Sequence, residues 1–106
     1  MSEDLEKSEE LYEITPEEEE RILRSFFSSR EPLKLKQIPA RAKRKYVVIR
    51  FIANEFTTDR RYTEQEVNQI LAGIYPDYAA LRRYLIDARF LTRTPDGGQY
   101  WRVASS

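Results

Sequence analysis

The chain has 106 residues, 41% apolar and 34% charged, with 18 basic and 18 acidic side chains. That is room for one domain with a modest core and a highly charged surface. It has no Cys and no His, which excludes disulfides and thiolate metal sites and removes the commonest general base.

No apolar run is long enough to span a bilayer, and the chain does not open on a secretory signal pattern. The expectation is a cytoplasmic, non-membrane protein, not an enzyme, with no cofactor and no metal. The zero net charge hides a division. Residues 1–20 hold 10 acids against Lys7, a net −9, and the remainder carries +9. Such asymmetry suits a polyanion-binding body with an acidic interaction tail, or a tail that only solubilises.

Residues 1–14 have few large apolar groups and many like charges, so they are expected to form a disordered acidic tail. The folded domain is expected over residues 15–106. Thr15-Pro16-Glu17-Glu18 marks a helix start, with Thr15 as N-cap, Pro16 at N1 and Glu18 closing a capping box. Ile22, Leu23, Phe26 and Phe27 give this helix one buried stripe. Residues 28–39 read as a connector, where the alternation of Leu33, Lys34, Leu35 and Lys36 is compatible with a short edge strand. A second helix is expected over roughly residues 40–56. Val48, Ile49, Ile52 and Phe56 form its stripe, and Arg41, Lys43, Arg44 and Lys45 crowd its first turns, the wrong sign for a helix N-terminus.

Arg60-Arg61-Tyr62 suggests a short strand. Thr63 and Glu66 then form a second capping box, with Tyr62 and Val67 placed as a hydrophobic staple. Val67, Ile70, Leu71 and Ile74 continue the apolar face, and Gly73 and Pro76 mark its exit. Asp77 is a good N-cap for a fourth helix, on which Tyr78, Leu81, Leu85 and Ala88 share a face. The chain closes with FLTRT, a turn around Pro95-Asp96-Gly97-Gly98, and QYWRV, a hairpin pattern.

Two helices followed by a hairpin give the fold expectation: mainly α with a small β-hairpin, a winged helix-turn-helix. Its order is helix, short strand, three helices and C-terminal wing. In that frame Arg82 borders the buried face and reads as scaffold. Arg83 points outward, either to pair with Asp87 or to meet nucleic acid. Arg41, Lys43, Arg44 and Lys45 suit phosphate contact, a solvated face, or docking onto the chain's own acidic tail. Arg93 and Arg102 would touch the sugar-phosphate backbone from the wing, and Trp101 is expected to pack inward.

The segments LKQIPARAKRK, RRYTEQEVNQIL, DYAALRRYLIDARFLTR and GGQYWR, in this order, resemble the bacterial domain-of-unknown-function family twenty eighty-seven. The resemblance runs from Leu35 to Arg102. It implies a small winged-helix domain, alone or fused to helix-turn-helix transcriptional regulators, and so a link with transcription. This chain has Tyr75-Pro76 where the family often has an aromatic-His pair. It has Ala88-Arg89-Phe90 where a small residue or glycine commonly ends the helix.

The leading expectation is a nucleic-acid-binding transcriptional regulator that contacts DNA through Arg41, Lys43, Arg44, Lys45, Arg83, Arg93 and Arg102. One domain this small reads few bases, so a homodimer or protein partner would complete a specific site. The alternative is an adaptor that binds protein and no nucleic acid. The two differ in whether the cations share one face once folded.

Overall fold

The structure, a computed structural model, describes residues 13–103. The acidic tail expected over residues 1–14 lies outside the described residues except for its last two. Of these, Ile14 is half-buried and packs against the core.

Among the described residues four helices and five short strands follow in order: α1 (Pro16–Phe26), β1 (Phe27–Arg30), β2 (Leu33–Leu35), α2 (Ala42–Ala53), β3 (Arg61–Tyr62), α3 (Glu64–Ala72), α4 (Tyr78–Asp87), β4 (Leu91–Arg93) and β5 (Tyr100–Arg102). The fold is mixed α/β with two small antiparallel sheets, β1-β2 and β3-β5-β4.

Thr15 caps α1, its hydroxyl oxygen accepting from the Glu18 N–H at 3.1 Å. The Glu18 carboxylate, expected to close a capping box, instead meets Lys43 Nζ at 2.9 Å. The expected connector after α1 contains a hairpin. Phe27 pairs with Leu35, Ser29 with Lys34 and Arg30 with Leu33, with a bulge at Ser28. Two serines gave β1 no local strand signal. Burial of Phe27, Leu33 and Leu35 in the common core holds it instead. The hairpin also closes the end of α3: Leu35 N–H donates to the Ile74 carbonyl, and Lys34 Nζ to that of Gly73.

Helix α2 is the central element. Val47, Val48, Ile49, Ile52 and Ala53 are all buried, so it is apolar on most of its circumference. It is shorter than expected, beginning after Arg41, which offers no side-chain cap, and ending at Asn54. Phe56 falls in the following turn yet remains fully buried, its ring meeting that of Tyr62 edge-on at 5.2 Å.

Helix α3 starts with the expected complete capping box of Thr63 and Glu66. Helix α4 starts on Asp77, whose carboxylate accepts from the Ala80 N–H at 3.1 Å. Leu81 and Leu85 are buried as expected, but Tyr78 is 38% exposed. It sits on the first turn, ahead of the part of the helix that meets the core. At the other end Arg89 N–H donates to the Ile86 carbonyl and Phe90 N–H to that of Leu85, with Arg89 at φ 66°. This is a Schellman motif, which glycine normally occupies.

The inner sheet face belongs to Tyr62, Leu91 and Tyr100, all buried. Register then sends Trp101, paired with Arg61 and Thr92, to the outer face. The expected inward Trp101 is corrected: the hairpin anchor is Tyr100. Alternation placed the two aromatics on opposite faces, but only the pairing with β3 decided which face is buried.

Candidate nucleic-acid interface

Helix periodicity splits the cations at the start of α2 between two sides. Lys43 lies on the side facing α1 and is tied to Glu18; about two turns further along the same stripe, Arg50 meets Glu19 at 3.3 Å. The hydrogen bond from Lys43 holds the Glu18 carboxyl below its ordinary value. Arg41, Arg44 and Lys45 occupy the other side. Arg41 and Arg44 are exposed and have no hydrogen bond or ion pair among the described residues.

Lys45 extends over the ring of Tyr84 on α4, with Nζ 4.3 Å from the centroid. Arg83 leans on the same ring at 5.4 Å rather than on Asp87. Tyr84 therefore joins the basic start of α2 to the outer face of α4. Such cation–ring contacts orient a cation without neutralising it. Arg41, Arg44, Lys45 and Arg83 form one band.

Beyond Arg83 an open groove of about 540 Å³ separates α4 from the hairpin. Arg82, Arg83, Arg93, Glu64, Asp87 and Tyr100 line it. Arg82 belongs to the scaffold: its Nη1 donates to Asn68 Oδ1 and lies 4.0 Å from Glu64 Oε2. Glu64 also accepts from the Tyr100 hydroxyl at 3.0 Å. Burial, then that hydrogen bond, pushes the Tyr100 phenol above its ordinary value. Arg93 is exposed and continues the cationic rim on the far side of the groove.

Arg102 lies apart. It shares the inner face with Tyr100 and donates to Asn54 Oδ1 at 3.0 Å and the Phe56 carbonyl at 3.2 Å. Of the seven cations expected at the site, Arg41, Arg44, Lys45 and Arg83 come together, Arg93 flanks them, and Lys43 and Arg102 are held elsewhere. The residue that reading the sequence missed is Tyr84, whose only signal was its place beside Arg83. Arg60 and Arg61 are also engaged, Arg60 with Glu66 at 3.6 Å and Arg61 stacked over Trp101 at 3.8 Å.

Among the described residues no three carboxylates gather to hold a metal ion. No helix among them is long and apolar enough to cross a membrane.

The bacterial family described as "Uncharacterized protein conserved in bacteria (DUF2087)" matches residues 34–102, roughly two thirds of the chain. The chain belongs to this family. The DUF2087 match begins inside β2 and ends with the last residue of β5, so it contains the whole basic band and leaves α1 and β1 outside. No curated protein and no solved structure matches the chain.

Proposed function

We propose that this is a winged-helix domain that binds duplex DNA and serves in transcriptional control. In this reading α3 and α4 are the two helices of a helix-turn-helix, β4 and β5 are the wing, and β3 completes the wing's sheet. Helix α4 approaches the major groove, while Arg41, Arg44 and Lys45 take phosphates to one side and Arg93 to the other.

The observation that carries the reading is the sharing of the Tyr84 ring by Lys45 and Arg83. It makes one continuous cationic band from charges on two helices, next to two exposed arginines without partners among the described residues. Helix α4 begins Tyr78-Ala79-Ala80, which offers few groups for base edges, so phosphate contact dominates and specificity comes from a second copy or a partner.

An adaptor is the second reading. The exposed Val103 and half-buried Trp101, beside Ile86 on a groove of about 580 Å³, favour it. Fluorescence anisotropy with labelled duplex DNA across a salt series separates the two. A logarithmic affinity falling with log salt at a slope of about −3 to −4 matches four phosphate contacts. No binding at low salt would leave the adaptor.

A further inference from the structure

We propose that the acidic segment of residues 1–12 docks on the band formed by Arg41, Arg44, Lys45 and Arg83 of the same chain. Its consequence for DNA rests on the function proposed above; the docking itself does not.

Residues 1–12 hold Glu3, Asp4, Glu6, Glu9 and Glu10 against Lys7, a net side-chain charge of −4. The band has the opposite sign, and Arg41 and Arg44 have no acidic partner among the described residues. The segment joins the fold beside this band. The Glu18–Lys43 pair fixes the first turn of α1 against the first turn of α2, where Arg41 stands two residues before Lys43 and Arg44 directly after it. The described chain begins five residues before Glu18, at the same end of α1.

The glutamates that follow the segment already behave this way. Glu18 is paired with Lys43, Glu19 with Arg50 and Glu20 with Arg30, at 2.9, 3.3 and 2.8 Å. The first two pairs engage the side of α2 that faces α1 and leave the band side open, and the third ties α1 to β1. Crossing the end of α2 requires roughly one helix diameter, about 10–12 Å. Twelve residues reach up to about 40 Å when extended, which is more than enough.

Each exposed pair is weak and screened by salt. A tether this short nonetheless supplies an effective concentration on the order of millimolar, sufficient to populate a weak multi-point contact. A phosphate backbone then competes with the segment for the same cations. The apparent dissociation constant for DNA rises in inverse proportion to the unoccluded fraction.

The test uses the full chain and a full-length variant carrying Glu3→Gln, Asp4→Asn, Glu6→Gln, Glu9→Gln and Glu10→Gln. Backbone amide NMR at low salt reads docking directly. Shifts between the two proteins at residues 41–45 and 82–84, absent at 0.5 M salt (roughly one-third of the low-salt screening length or less), are expected. The variant should bind duplex DNA roughly threefold to tenfold more tightly at low salt. Unshifted band amides overturn the docking, whatever DNA does. Shifted amides in a protein that binds no DNA leave the docking standing and remove the proposed function instead.

Discussion

Arg102 donates from Nη2 to Asn54 Oδ1 at 3.0 Å, joining the last strand to the end of α2. Its other guanidinium nitrogen satisfies the Phe56 carbonyl at 3.2 Å, beside the fully buried Phe56 ring. Arg102→Ala should therefore destabilise the fold by about 1–2 kcal/mol. Affinity for DNA, measured well below the melting temperature, should stay unchanged. A drop in affinity with unchanged stability would place Arg102 at the interface after all.

The two adjacent arginines of α4 should separate in the same way. Arg82→Ala loses its bond to Asn68 and its packing across the groove, about 1–2 kcal/mol by chemical denaturation. Arg83→Ala should leave stability nearly untouched. It should weaken DNA binding, and Arg41→Ala and Arg44→Ala should each also reduce the salt slope by about 1. Anisotropy and denaturation on the same samples check both halves.

Two left-handed backbone positions predict opposite signs. Gly97 has φ 75°, and a Cβ there would also meet Arg93 Nη1 at 3.3 Å. Gly97→Ala should cost about 1–2 kcal/mol. Arg89 ends α4 at φ 66°, where glycine fits without steric penalty. Arg89→Gly should stabilise by about 0.5–1 kcal/mol, read from the denaturation midpoint. A loss on Arg89→Gly would mean that the contacts of the arginine outweigh the backbone conformation.

Acid should loosen α1 first. Hydrogen bonds from Lys43 and Arg30 hold the Glu18 and Glu20 carboxyls below the ordinary 4.5. A group lowered by folding stabilises fully above its unfolded value, and this contribution fades as pH falls through the folded value. Stability should thus decline below about pH 4.5 by this route, and Glu18→Gln combined with Glu20→Gln should flatten that decline. Melting temperatures at pH 7 and pH 3 for both proteins measure it.

Much of the architecture was legible in the linear sequence because its signals are local. Thr15, Thr63 and Asp77 cap the helices expected of them, since a cap needs only the next three residues. Apolar spacing likewise identified Leu81, Leu85, Val67 and Leu71 as core. Strand β1 was hidden because Ser28 and Ser29 form a strand only when Leu33 and Leu35 pair back onto it. The inward face of the last strand was hidden for a related reason: alternation fixes which residues share a face, and only the partner strand decides which face is buried.

The same division holds for the candidate interface. By itself the sequence determined that the chain is cation-rich at residues 41–45 and 82–83, acid-rich at its start, and without His or Cys. Those properties are sums over residue types and require no coordinates. Tertiary structure decided which cations act together. Packing of α4 on α2 brings Tyr84, the chain neighbour of Arg83, under Lys45, while Glu18 draws Lys43 away and the end of α2 takes Arg102. Charges interact over distances of a few ångströms in space, and separation along the chain carries almost no information about those distances.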